Sequence, residues 1–467
     1  MQYSIVNYKT VKEESHSLRI DADFFRADYL SIQDKLKSKS FKKLIDYKIK
    51  IKHPTEIKRE YVDDGVLFLR AQNVRPLQID IENNPVYISN KDAVLLKNNL
   101  ITKKDILLTR TGANFGQCSI FLDNQQAIAS SHTFIIKGGE LNPFFLAVFL
   151  NTNFGRKLID KGMYGGLQPE VAPFFLYQIP LPIFKVIPDI IEKIYLLSQK
   201  YIDDSKSLYS QAETLLLSEL GLLDWKPKHT LSFVKNYSDM QEVERIDAEY
   251  FQPKYEEIIE AVKKYKGGFD ELGNLVKIKD KNFTPKDNEQ YKYIELANIS
   301  SNGEINGYTE NFGNELPSRA RRKVQKSDLI VSSIEGSLDS IALITEDWKN
   351  ALCSTGFFAV NSDKLNSETL LVLLKTKVGQ LQLKKGCKGT ILTAVGKDEL
   401  SKIVLPKIDS ETQKEIKGKI TEMYKTKKLS KSLLEIAKRG VEIAIEKDEQ
   451  EAEKWINSEI VKLGIDI

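Results

Sequence analysis

The sequence predicts a duplicated α/β (α+β) fold: two mixed heads separated by two long helices that pair as an antiparallel coiled coil, with pseudo-two-fold symmetry. Three observations predict it. A heptapeptide near the start, Arg19-Ile20-Asp21-Ala22-Asp23-Phe24-Phe25, returns 226 positions on as Arg245-Ile246-Asp247-Ala248-Glu249-Tyr250-Phe251. In both halves, short apolar runs bounded by Gly, Asn and Asp are mixed with segments of three-and-four apolar spacing. Each half then closes on a proline signature and gives way to apolar heptads. A length of 467 residues suits two domains of about 180 to 230 residues, each able to bury a core.

The first head is expected at residues 1–182. The runs at 66–69, 106–108 and 134–136 read as strands, and residues 143–160 as a helix that Asn142 is placed to cap. After Leu181-Pro182 a central helix, 183–221, carries Ile190, Ile194, Leu197, Tyr201, Leu208 and Leu215 in alternating steps of four and three, the mark of a coiled-coil seam. Residues 222–406 hold a linker, with Trp225, Pro227 and His229, and then the second head, whose residues 367–385 again read as a helix.

A C-terminal helix, 407–467, answers with Ile416, Ile420, Met423, Ala437, Val441 and Ala444, interrupted by Lys427 and Ser430 as Asp204 interrupts the first. A helix of about 35 residues is about 50 Å long, so facing antiparallel helices would hold the heads more than one turn of duplex DNA apart. The alternative is that each helix only packs on its own head.

The copies stay in step. Phe68-Leu69-Arg70-Ala71-Gln72-Asn73-Val74 corresponds to Tyr293-Ile294-Glu295-Leu296-Ala297-Asn298-Ile299, and Asp105-Ile106-Leu107 to Asp328-Leu329-Ile330. From Gly112 and Gly336 onward the offset reads as 224, through Ser130/Ser354, Phe134/Phe358, Gly155/Gly379, Gly162/Gly386 and Leu181-Pro182/Leu405-Pro406.

With 41% hydrophobic and 29% charged residues the composition is that of a globular protein, and no segment approaches the ~18 apolar residues of a membrane span. The start lacks a basic segment followed by an apolar run, so a cytoplasmic location is expected. Cys118, Cys353 and Cys387 stand singly, without the spacing of a zinc or redox motif, and read as buried thiols. A net charge of only +4 means that any charge serving nucleic acid must be local.

Catalytic look-alikes fail on context. Asn142-Pro143-Phe144-Phe145 approaches the loop with which adenine methyltransferases grip their target, but it lacks the second proline and no glycine-rich cofactor element precedes it. Pro188-Asp189 with Asp204-Ser205-Lys206 has nuclease-like spacing, yet it falls in a helix and in one copy only. His16, His53, His132 and His229 are too scattered to suggest a metal site. No catalytic residue, metal or cofactor is expected on this chain.

What remains are polar loops at matching places with different residues, as two readers of different sequences would have. The first head offers Arg110, Thr111, Asn114 and Gln117 in the turn after a strand, side chains that can pair with guanine or adenine edges. The second offers Ser333, Glu335 and Ser337, with Glu335 able to accept from a cytosine amino group or simply to stand solvated. Gly112 and Gly336 are expected to permit the tight turns.

A second, glycine-rich loop carries Tyr164, Gly165 and Gln168 in one copy and Lys385, Lys388 and Thr390 in the other, suited to close approach of phosphate or simply to ending a helix. Lys50, Lys52, Arg59, Arg70, Gln72, Asn73 and Arg75, and Lys277, Lys279, Lys281, Arg319, Arg321 and Arg322, complete the candidate DNA-binding residues. Each cluster alone reads as a solvated face; recurrence near corresponding loops favours phosphate contacts.

With the duplication, the paired long helices, the Asp-Ile-Leu-x-x-Arg-x-Gly-x-x-x-Gly stretch from Asp105 to Gly116 and Gln-Ile-Pro-Leu-Pro from Gln178 to Pro182, the chain resembles the specificity subunit of type I restriction-modification systems over essentially its full length. The resemblance implies two target-recognition domains, each reading one half of a bipartite DNA site. It also implies helices that fix the spacer and dock two methyltransferase subunits, with restriction/translocase subunits joining later. S-adenosylmethionine, ATP and magnesium would then belong to those partners. The second copy departs from the pattern: Ser333 stands where Arg110 does, Asp339 or Ser340 replaces Gly116, and Val404-Leu405-Pro406 lacks one proline. The rival readings are a duplicated scaffold that binds only protein, and a divergent methyltransferase or nuclease.

Overall fold

The computed structural model describes the chain apart from residues 1–4, 15–18, 82–84, 166–167, 229, 301, 347, 390–392 and 467, and apart from the side chains of residues 13 and 14. His16, His229 and Thr390 therefore lie outside the described residues. The chain divides into two compact units, Met1–Tyr201 with Lys428–Ile467, and Ile202–Lys427. Each takes half of each long helix, because Ile187–Glu219 and Ser410–Glu446 both run through the division.

In the first unit an antiparallel sheet has the order Cys118–Ile120, Ile106–Thr109, Thr133–Lys137, Lys50–Lys52. A second sheet runs Tyr61–Val62, Tyr87–Ile88, Val66–Leu69, Ala127–Ala129, Leu100–Ile101, with a single parallel pairing between Val66–Leu69 and Ala127–Ala129. The second unit repeats the first order as Ile341–Leu343, Leu329–Ser332, Phe357–Asn361, Lys277–Lys279. Its other sheet, Thr309–Phe312, Gln290–Ile294, Ala351–Ser354, Ala320–Val324, again has one parallel pairing, between Gln290–Ile294 and Ala351–Ser354. The proline signatures are strands: Pro180–Pro182 pairs with Phe41–Lys43, and Val404–Pro406 with Phe269–Glu271.

The single helix expected at 143–160 is two, Pro143–Asn151 and Asn153–Lys161, and that at 367–385 is also two, Ser367–Lys375 and Lys377–Lys385. Thr152 and Thr376 take extended backbone at the breaks, and the Thr152 hydroxyl accepts from the Gly155 N–H at 3.2 Å, capping the second helix. Glycine follows because a Cβ on Gly155 would sit 2.2 Å from the Phe149 carbonyl oxygen, and one on Gly379 2.4 Å from the Leu374 Cα. Both helices of a pair are apolar enough that periodicity runs straight across the break. Asn142 does cap the first helix, accepting from the N–H groups of Phe144 and Phe145 at 2.9 and 3.1 Å.

The long helices pack on each other as well as on the heads, so the alternative that each packs only on its own head is not realised. In the first unit Ser198 Oγ lies 2.8 Å from Ser430 Oγ, and in the second Lys419 donates to Gln211 at 3.0 Å. Contacts that advance along one helix retreat along the other, which makes the pair antiparallel. The buried line of the first helix is Ile187, Ile191, Ile194, Ser198, Ser205, Ala212 and Leu216. Ile194 lies on it, whereas Ile190, Leu197, Tyr201, Leu208 and Leu215 are half-buried on its flank. Ile416, Ile420, Met423, Ala437 and Val441 are fully buried.

Lys427 and Ser430 do not interrupt the second helix. Lys427 is buried against the Glu304 carboxylate, and its ammonium also donates to Asn302 at 3.3 Å. Tyr195 ties the first helix to its head, donating to the Leu77 carbonyl at 2.8 Å. The segment after Ser410–Glu446 breaks at Asp448, which caps a separate helix, Glu449–Lys462. The Glu449 carboxylate accepts from the N–H groups of Lys185, Val186 and Ile187 at 2.7, 2.9 and 3.3 Å, a negative charge at the start of the first long helix.

Candidate nucleic-acid interface

In the first unit four loops converge. The turn at residues 109–117 leaves the strand Ile106–Thr109; Gly112 takes φ +88°, which only glycine adopts readily, and Gly116 takes φ +70°. The hairpin formed by Met163–Tyr164 and Glu170–Val171 lies against it through a bridge between Thr111 and Glu170. Arg110 reaches Glu170 at 3.3 Å, and the Tyr164 hydroxyl donates to the same carboxylate at 3.2 Å. Thr111 Oγ1 lies 2.8 Å from His132 Nδ1, and the Arg110 N–H donates to the His132 carbonyl at 2.8 Å.

Residues 53–59 form the fourth side. The His53 ring packs edge-on against Phe134, with centroids 5.6 Å apart, and partial desolvation there, reinforced by the Arg110 charge, lowers its pKa. Glu56 pairs with Arg59 and accepts from Ser131, while the Arg59 guanidinium lies 4.2 Å from the centre of the Phe68 ring. Asn114 donates to the Ala71 carbonyl and Gln117 to Asn114, both at 3.4 Å. Asn73 is buried and holds its own turn, accepting from the Arg70 N–H at 2.9 Å and donating to the Asp80 carbonyl at 2.8 Å. Lys50, Lys52, Gln72, Arg75, Gly165 and Gln168 are exposed, and Arg70 is half-buried.

The second unit builds the same frame with other residues. Ile334 bridges Ala394 where Thr111 bridges Glu170, and the Glu335 N–H donates to the Thr393 carbonyl at 3.0 Å. The strand bounds and these bridges set the offset at 223 through this turn, where Ser333 is opposite Arg110, and at 224 in the hairpin, where Ala394 is opposite Glu170. Gly336 is thus not the partner of Gly112. It sits in a short helical turn, Glu335–Ser337, without positive φ, and the expectation that it permits a tight turn fails.

Glu335 pairs with Lys384, whose ammonium holds the carboxyl below its ordinary pKa. Ser333 donates to the Gly356 carbonyl at 3.0 Å, and Ser337 lies 3.2 Å from the Ser332 hydroxyl. Lys388 pairs with Glu399 at 2.9 Å, Lys277 with Asp363 at 2.6 Å, and the Lys385 ammonium lies 5.0 Å from the centre of the Tyr250 ring. Lys279 is 2.7 Å from Asp328, which is fully buried; the matching Asp105 is held by Lys137 instead. Lys281 and Arg319 are exposed, and Arg321 donates to the Ser318 carbonyl at 3.0 Å. Arg322 is half-buried, and its Nε and one terminal nitrogen make no hydrogen bond among the described residues.

Sequence reasoning missed Glu170, the carboxylate that gathers Arg110 and Tyr164, as well as the Glu335–Lys384 pair and the Glu56–Ser131 contact. The signal for Glu170 was present, because it is the one acidic side chain in an otherwise glycine-rich loop. Among the described residues no group of three or more His, Cys, Asp or Glu side chains is placed to hold a metal ion, and no helix is long and apolar enough to cross a membrane. The three cysteines are buried and unpaired, and burial pushes each thiol up.

Fold and face together define a class of molecule: two heads of one topology, each with its own polar tip, sharing two long antiparallel helices. Solved structures similar to the chain over most of its length are specificity subunits of type I restriction-modification systems. The S subunit from M. genitalium matches at 12% identity over 92% of this chain and 96% of that one, with a TM-score of 0.36. The HsdS subunit from Thermoanaerobacter tengcongensis matches at 13% identity over 86% and 97%, with a TM-score of 0.26. No family model and no curated protein matches the chain.

Proposed function

We propose that the chain is a tandemly duplicated, non-catalytic DNA-binding subunit that recognises a bipartite duplex site. It would direct partner adenine-N6 methyltransferase and restriction subunits to that site. The observation that carries this reading is coupled divergence on a repeated frame: where one head has the pair Arg110 and Glu170, the other has Ser333 and Ala394 at the same bridge. A scaffold that only bound protein would have no need to exchange both members of a polar pair while preserving the strands beneath them.

In this reading Arg110, Asn114 and Gln117 in one head, and Ser333, Glu335 and Ser337 in the other, face base edges. Lys50, Lys52, Lys277, Lys281 and Arg319 supply phosphate contacts that fix register. Recognition is performed here, and methyl transfer and cleavage by partners that bring S-adenosylmethionine, ATP and magnesium. The motif resemblance of residues 105–116 and 178–182 implies the same division of labour.

The test is copurification from native cells combined with sequencing of N6-methyladenine. The expected result is a methyltransferase partner and a methylated motif in two separated parts. Methyl transfer or cleavage by the purified chain alone, given cofactor or Mg²⁺, would favour an enzyme. Absence of salt-dependent DNA affinity with the partners present would favour a protein scaffold.

A further inference from the structure

The longest motif shared by the two copies lies outside the turns that carry Arg110 and Ser333, yet it performs the same task in both, bonding the first strand of the neighbouring hairpin. Arg19 forks onto Asp21, with Nε and one terminal nitrogen at 2.7 and 2.9 Å, and its other terminal nitrogen donates to the Met163 carbonyl at 3.0 Å. Asp21 also accepts from the Phe24 N–H at 3.0 Å, and the guanidinium lies 4.9 Å from the centre of the Phe24 ring. Met163 begins the hairpin that carries Tyr164 and Glu170.

In the second unit Arg245 forks onto Asp247 at 2.8 and 3.0 Å and donates to the carbonyls of Lys385 and Cys387 at 3.3 and 3.0 Å. Asp247 accepts from the Tyr250 N–H at 3.0 Å, and Cys387 begins the hairpin that ends at Ala394–Val395. An arginine with five donors in a fixed planar fork can grip a carboxylate with two parallel bonds and still hold a backbone carbonyl, a geometry that lysine does not reproduce.

We infer that Arg19–Asp21 and Arg245–Asp247 are positioning pairs, clasps that set each recognition hairpin against its neighbouring turn and so govern specificity at one half-site each without touching DNA. The inference rests on the DNA-reading role proposed above. The path is short in both copies: clasp to hairpin carbonyl, hairpin to bridge, bridge to the turn bearing Arg110 or Ser333.

The experiment compares the full chain, copurified with its partners, as wild type, Arg19→Ala, Arg19→Lys, Asp21→Asn and Arg245→Ala, in selection from a fully randomised 30-base-pair duplex library. Arg19→Ala is expected to lower base discrimination at one half-site by roughly tenfold and to leave the other unchanged, while Arg245→Ala does the converse. Arg19→Lys keeps the charge but not the fork and should recover only part of the loss. Hydrogen exchange, which needs no DNA, should quicken at residues 163–164 and 170–171 in Arg19→Ala and in the milder Asp21→Asn, with the strands Ile106–Thr109 and Thr133–Lys137 unaffected. Unchanged exchange at the hairpin, wild-type discrimination in Arg19→Ala, or equal loss at both half-sites would overturn the clasp. A wild-type chain that enriches no motif while the exchange result holds would overturn the DNA reading and leave the clasp standing.

Discussion

Arg110 stands between two fates at the residue scale, since Glu170 holds it at 3.3 Å and only 18% of its side chain is exposed. A guanidinium oriented by a neighbour loses less freedom when it pairs with a guanine edge. Arg110→Ala is therefore expected to weaken specific binding by about 1 to 3 kcal/mol with little effect on random duplex. Equal losses on both, measured by fluorescence anisotropy, would make it a phosphate contact. The clasp carboxylates give a second prediction. Bonds from Arg19 and Arg245 hold Asp21 and Asp247 below the usual carboxylate range. A depressed carboxylate contributes stability that is present above the unfolded value of about 3.9 and disappears as pH falls through the lower folded value. Hairpin exchange, corrected for intrinsic rate, should be the same at pH 7 and pH 5 and rise only below about pH 4; loosening between pH 7 and 5 would contradict the pairing. Arg110 was legible in the sequence because it sits in a glycine-framed turn, while Glu170 lies 60 residues away and becomes its partner only when the hairpin folds back.

At the element scale, the repeat, the strand runs and both long helices could be read from the chain, because apolar spacing and glycine placement are local properties. The line along which the helices meet could be read only in part, at Ile194 of the first helix and at the buried residues of the second. Ser198 and Ser205 are buried at 2% and 1% exposure, and a count of apolar residues passes over them to the flanking Leu197 and Leu208. Small residues there let the helices approach, and the Ser198–Ser430 contact satisfies both hydroxyls. Ser198→Leu should accordingly destabilise the protein by about 1 to 3 kcal/mol through overpacking, read as a lower urea midpoint. A neutral result would mean that the helices do not meet there. The breaks at Thr152 and Thr376 were hidden for the opposite reason: both sides of each break are apolar, and the demand for Gly155 comes from the Phe149 carbonyl beside it. Gly155→Ala is predicted to destabilise by a similar amount, about 1 to 3 kcal/mol, in the same titration.

On the scale of the whole molecule, a net charge of +4 over 467 residues means that the proposed DNA affinity must come from particular loops. Affinity should fall steeply with salt if those loops meet phosphates. Two units that repeat one four-stranded sheet order and carry unlike tips would, under the proposed function, make two independent readings. The direct test replaces residues 1–182 with the corresponding segment of a similar protein whose two half-sites are known, followed by sequencing of methylated adenines. One half of the motif should change to that of the donor while the other half is retained. A motif altered in both halves, or in neither, would contradict the account.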